Sequence, residues 1–220
     1  GLVRALAEGL RPRGGPPPAP TRAAASAALD NLAARYAQAL TLEQLDMTDE
    51  AQLSRLHNRL RHQRFNALFI NAGIANRNQN DTIAEVSTEE FAHLMITNAL
   101  SPLRVAERLQ ELVDADGLIG VMSSGQGSIG NNHQGGREVY RGTKAALNQY
   151  MRSYAARQAV LYPERALLLL APGWIRTELG GEEGAYTLEE TIPDIVSVIE
   201  RKRSKPGLEF LDRFGKVVPW

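Results

Sequence analysis

The chain contains no cysteine, which excludes disulfide bonds, thiolate-held metal ions and a cysteine nucleophile. It also lacks net charge, because 25 basic residues are balanced by 25 acidic ones. With no global field to steer it toward nucleic acid or an anionic membrane, its function has to reside in a local site. No apolar run approaches the roughly 18 residues that span a bilayer, and the first residues lack the basic-then-apolar pattern of a signal peptide. A soluble, cytoplasmic protein is expected. Histidine is scarce and scattered, four in 220 residues, without metal-ligand spacing, so no metal centre is expected. His57 and His62 read as solvated.

From about residue 39 onward, short β-rich apolar runs alternate with longer segments of helical period. The runs at 39–45 (ALTLEQL), 66–70 (NALFI), 118–122 (LIGVM), 166–171 (ALLLLA) and 208–211 (LEFL) are candidate strands. Candidate helices cover about 49–63, 87–113, 138–161 and 188–203, with Thr48, Ser87 and Thr187 placed to cap them and STEE at 87–90 forming a capping box. Continuous apolar strands separated by helices indicate a parallel sheet covered on both faces, a doubly wound α/β arrangement. Ligands of such sheets bind beyond the carboxyl ends of the strands. The start of the chain departs from this pattern: GLVRALAEGL is a helix fragment, and 11–25, with five prolines, reads as a loop or linker. The basic run RKRSK at 201–205 reads as a solvated helix end.

Polar and glycine motifs follow the strands: LDMTD at 45–49, INAG at 70–73, VMSSG at 121–125 and APGWIRTE after the run at 166–171. Any one of them is ordinary turn chemistry. All four should share one rim of the sheet, together with Tyr140 and Lys144, which stand one helical turn apart. A phenol ordinarily ionises near pH 10, so acid–base work at neutral pH requires help. An ammonium at i+4 is a surface neighbour that favours the phenolate. GQGSIG at 125–130 matches G-x-G-x-x-G by letters but opens no helix, and reads as a flexible substrate loop. SSGQG is not a G-x-S-x-G elbow, which argues against a serine hydrolase.

The order Asp46, Asn71-Ala72-Gly73, Asn98, Ser124, Tyr140-x-x-x-Lys144 and Pro172-Gly173 resembles the short-chain dehydrogenase/reductase family from about residue 40 to the end. Within it, SSGQGSIGNNHQGGREVYRGTKAALN, APGWIRTELGGEEG and the closing LEFLDRFGKVVPW resemble the branch containing sniffer-type carbonyl reductases and bacterial C-factor proteins. The resemblance implies one Rossmann-like domain over 1–220, with 1–38 a degenerate or truncated part that lacks the first strands and the phosphate-binding glycine turn. It implies an NAD(P)-dependent oxidoreductase that interconverts a carbonyl and an alcohol by hydride transfer, with Tyr140 as general acid/base. Ser124 would hold the substrate oxygen, with Ser123 as the alternative, and Asn98 would hold a water near Lys144.

By the same resemblance Asp46 meets the adenine, Asn71, Ala72 and Gly73 line the adenosine ribose, Lys144 holds the nicotinamide ribose, and Pro172, Gly173, Ile175 and Thr177 flank the nicotinamide. NADP or NAD is the implied cofactor, and family habit leans to NADP. The implied partner is a small-molecule carbonyl or alcohol, expected to be apolar. Dimerisation through helices 87–113 and 138–161 is what the family would use, with the oligomeric state left open. Loss of the phosphate-binding turn leaves a second expectation standing, a cofactor-free binding or signalling module.

Overall fold

A computed structural model describes Leu6, residues 18–21 and residues 41–220. Its strands are β1 (Pro18–Thr21), β2 (Thr41–Gln44), β3 (Phe65–Ile70), β4 (Val113–Met122), β5 (Ala166–Ala171) and β6 (Gly207–Asp212). β1 and β2 pair in parallel as a two-stranded sheet, and the other four form a parallel sheet in the order β3-β4-β5-β6. The connecting helices are α1 (Glu50–Leu60), α2 (Thr88–Met95), α3 (Ser101–Leu109), α4 (Glu138–Leu161) and α5 (Leu188–Lys202). No helix among the described residues is long and apolar enough to cross a membrane.

The two-sided sheet follows from the composition of β5, in which every residue of Ala-Leu-Leu-Leu-Leu-Ala is buried. Because strand side chains alternate between faces, Leu167, Leu169 and Ala171 enter one core with Val105 and Leu109 of α3 and Leu147 and Met151 of α4. Ala166, Leu168 and Leu170 enter the opposite core with Ile195, Val198 and Ile199 of α5, where Leu6 also packs. A helix therefore covers each face, and all the strands of the four-stranded sheet end on one rim.

Several sequence expectations need correcting. Part of the proline-rich segment is strand β1 rather than loop. Pro18 and Pro20 alternate, so their missing donors fall on one edge, and the N–H groups of Ala19 and Thr21 remain for the other. Apart from Leu6, the remainder of 1–40 lies outside the described residues. β4 begins at Val113, five residues before the apolar run, because its polar start is only partly covered.

The helix expected at 87–113 is broken. A π-helical turn at Ile96–Leu100 separates α2 from α3, with the Ser101 N–H bonded five residues back to the Ile96 carbonyl. Pro102, which has no N–H to offer the Asn98 carbonyl, accounts for the irregularity.

Among the caps, Asp49 rather than Thr48 closes α1, accepting from the N–H groups of Ala51 and Gln52. Ser87 caps α2 through Glu90 N–H, but the Glu90 carboxylate accepts from Arg77 N–H instead of completing the expected box. The complete capping box is at Thr187 and Glu190. Neither His57 nor Lys202 is a solvated surface group. His57 contacts Glu111 at 2.6 Å, and Lys202 is buried against Glu209 and the carbonyl of Lys205.

Candidate active site

The π turn between α2 and α3 turns Asn98 inward. Its side chain is fully buried, donating to the Ile74 carbonyl at 2.7 Å and to Thr143 Oγ1 at 3.0 Å and accepting from Ile74 N–H at 2.8 Å. One amide thus clamps the loop after β3 to helix α4. Asn is a poor interior helix former because its amide competes for backbone groups, and the amide is used that way here, on a neighbouring loop.

At the end of β4 the paired serines diverge. Ser123 donates from Oγ to Asn148 Oδ1 at 2.6 Å and is buried, so its hydroxyl is committed to the body of α4. Ser124 is half-buried and begins the 3-10 turn Gly125–Gly127, its Oγ accepting from Gln126 N–H at 3.1 Å on the side of the Tyr140 phenol, whose ionisation it favours. The start of the expected flexible loop is locked. The Gly127 carbonyl accepts from Asn148 Nδ2 at 3.2 Å, and a Cβ on Gly127 would lie 2.9 Å from the Lys144 backbone. Gly127→Ala should therefore displace α4 and lower stability by about 1–3 kcal/mol. Thermal melting with a parallel activity assay checks this, and an unchanged melt would contradict the packing described.

Tyr140 and Lys144 lie on the buried face of α4. Burial pushes the Tyr140 phenol up, opposed by the hydrogen bond from Ser124 and the charge of Arg137. The net shift is upward, contrary to the expectation from Lys144 at i+4. The Lys144 ammonium lies 5.9 Å from the phenol ring centroid and bonds the Met122 carbonyl at 3.1 Å. Burial alone pulls its pKa down to about 8, and no carboxylate pairs with it among the described residues. A Cβ added to Gly73 would come within 3.2 Å of Lys144 Nζ and 3.6 Å of Asn98 Oδ1. The loop after β3 and helix α4 meet at this point, where a side chain would crowd the lysine ammonium.

Asn98, Ser124, Tyr140, Lys144 and Gly73 are thus brought together. The other sequence candidates lie at the strand ends in more local settings. Asp46 Oδ1 accepts from Thr48 N–H and Oγ1 at 2.9 and 2.7 Å. Asn71 keeps a buried Oδ1 with no partner, and Ala72 is exposed. Beyond β5, Pro172 leads into Gly173, whose φ of 90° favours glycine. Ile175 is buried, and Thr177 Oγ1 accepts from Gly180 N–H at 3.1 Å. The following loop is fastened at its base, with Arg176 N–H bonded to the Tyr186 carbonyl and Tyr186 N–H to that of Trp174.

Sequence reasoning missed Thr143 and Asn148, which tie Asn98 and Ser123 into α4. Their signal was available: both share the period of the buried stripe that carries Tyr140, Lys144, Leu147 and Met151. It also missed Arg213, a buried guanidinium 3.5 Å from the Tyr186 ring centroid, which helps hold the same loop.

Comparison with known proteins agrees with this arrangement. The profile of the family described as enoyl-(acyl carrier protein) reductase matches residues 18–203. A Burkholderia multivorans protein described as a short-chain dehydrogenase/reductase, solved with bound NADP, is 49% identical, with a TM-score of 0.96 over 100% of this chain and 95% of its own. A carbonyl reductase from Pseudomonas aeruginosa is 32% identical, with a TM-score of 0.90 over the same shares. The C-signal protein of Myxococcus xanthus is 31% identical over 141 residues, 63% of this chain and 83% of its own length. With a family profile over residues 18–203 and a likeness to solved structures that covers the whole chain, the chain belongs to the short-chain dehydrogenase/reductase family, whose members are NAD(P)-dependent oxidoreductases.

Proposed function

We propose that the protein interconverts a small carbonyl compound and its alcohol with NADP(H), Tyr140 giving the proton to the carbonyl oxygen or taking it from the alcohol. The observation that carries this reading is the placing of a buried phenol and a buried ammonium one turn apart on the inner face of α4, the ammonium without a carboxylate partner among the described residues. An unpaired buried cation is costly unless something at the site uses it. Ser124, half-buried at the end of β4, orients the substrate oxygen, whereas Ser123 is occupied by Asn148. Lys144 supplies positive charge beside the reacting oxygen, and Asn98 fixes the wall behind it.

The residues present fit a nicotinamide nucleotide. Asn71 Oδ1 is a buried acceptor awaiting a donor, Gly73 leaves a gap beside Lys144 that a side chain would fill, and Gly173 keeps the turn after β5 open. Asp46, Asn71, Ala72 and Gly73 would hold the adenosine half, and Lys144, Pro172, Gly173, Ile175 and Thr177 the nicotinamide half. When bound, the nicotinamide supplies the hydride that no side chain can give. The NADP carried by the Burkholderia relative favours NADP over NAD.

A second reading, a cofactor-free signalling module, is favoured by the likeness to the protein named C-signal. Fluorescence titration with NADPH and then NADH, run alongside a thermal melt, separates the two. Saturable NADPH binding should raise the melting temperature, by about 2.7 kcal/mol of stabilisation at a hundredfold excess over Kd. A cooperatively melting chain that binds neither nucleotide would remove the oxidoreductase reading and leave the module.

A further inference from the structure

Helix α4, which carries Tyr140 and Lys144, is entered through an unusual turn. Gly135 and Gly136 both have φ of 67°, and Arg137, the N-terminal flanking residue of α4, follows at φ 49°, ψ 41°. Among the described residues Arg137 is the one non-glycine with positive φ. The left-handed region is strained for a bulky side chain by about 1–3 kcal/mol, and residues held in it cluster at functional sites. Glycine would relieve the strain, so the presence of arginine points to a use for its side chain.

The surroundings of that side chain indicate the use. The Arg137 guanidinium lies 5.8 Å from the ring centroid of Trp174, a half-exposed residue on the loop after Gly173. It stands three residues before Tyr140, and its charge acts on the phenol. It makes no ion pair and no side-chain hydrogen bond among the described residues. The adjacent Glu138 is occupied, accepting from Ile83 N–H at 2.7 Å, and Glu178, Glu182 and Glu183 of the facing loop do not pair with Arg137. A guanidinium without an anionic partner among the described residues thus lies beside Trp174 and close enough to the phenol for its charge to act there.

We propose that Arg137 recognises an anionic group on the substrate, so that the compounds handled best are oxo acids with a carboxylate a few bonds from the reacting carbonyl. The proposal rests on the reading of Tyr140 given above. A planar guanidinium binds a carboxylate through two parallel N–H donors, which would leave the carbonyl of a short oxo acid to reach Ser124 and Tyr140. Trp174 offers its ring face to the hydrocarbon part. This replaces the purely apolar substrate expected from the sequence with one that is apolar at the centre and anionic at one end.

The test compares phenylglyoxylate with its methyl ester, using wild type, Arg137→Met and Arg137→Gly with NADPH. Arg137→Gly suits the left-handed turn and guards against a folding artefact. Wild type should favour the acid, and the ratio of acid to ester kcat/KM should fall by about 10- to 100-fold in both variants, mainly through KM. A wild type that prefers the ester, or variants with an unchanged ratio, would overturn the proposal. If wild type binds NADPH but reduces neither compound, the reading of Tyr140 fails instead. Calorimetric binding of phenylglyoxylate then decides the inference separately: binding to wild type that is lost in Arg137→Gly supports it, and equal or absent binding overturns it.

Discussion

Tyr140→Phe is expected to lower NADPH-dependent carbonyl reduction by about 10²- to 10⁴-fold, the usual worth of a positioned acid, while NADPH affinity changes by no more than a few-fold. The substitution removes one hydroxyl and keeps the ring, so the packing of α4 is preserved. Because burial raises the phenol above its ordinary value, the hydroxyl keeps its proton at neutral pH and is ready to donate. Loss of that donor should appear in kcat more than in KM, since the proton moves only as the transition state forms. Steady-state kinetics beside a fluorescence titration checks both halves. Turnover within about tenfold of wild type would assign the acid to another group.

Lys144→Met should have two effects of opposite sign. Activity should fall by about 10²-fold or more, because positive charge beside the reacting oxygen is lost. Stability near pH 7 should rise. Burying the ammonium, which moves its pKa from 10.5 to about 8, costs on the order of 3 kcal/mol at about 1.4 kcal/mol per pKa unit. The folded-state value lies below the unfolded one, so between about pH 8 and 10.5 the unfolded chain holds the extra proton. Stability of the wild type should therefore rise with pH through that window relative to the variant, whose advantage should shrink there. Paired denaturant titrations at pH 7 and pH 9.5 read the difference. A variant less stable than wild type at both would mean that the aliphatic stem of Lys144 matters more than the burial of its charge.

The apolar runs disclosed the four-stranded sheet because in a parallel sheet with both faces covered a strand is apolar throughout, as β5 is. The extent of α4 was legible from helical period alone, and Glu138–Leu161 matches the expected 138–161. Pattern reading failed where backbone hydrogen bonding decides the structure. Pro102 and the π turn interrupt what reads as one long amphipathic helix, and β1 forms across alternating prolines that signal a loop. At the site, Tyr140, Lys144, Ser124 and Asn98 stood out by residue type and order. The direction of the Tyr140 shift did not, because i+4 spacing says nothing of burial. Arg137 was passed over because its left-handed backbone is a property of the turn Gly135-Gly136-Arg137 and has no marker in residue type.

Gly130, in the loop that follows Ser124, donates its N–H to the Trp220 carbonyl at 2.9 Å, while the Trp220 ring packs 5.6 Å from that of Phe210 in β6. During synthesis the ribosome releases Ser124, Tyr140 and Lys144 long before this contact exists. A nascent chain can close β3, β4 and β5 and still leave the loop after Ser124 unfastened until residues 210–220 have emerged, so that loop would be tied down only after the strands that flank it.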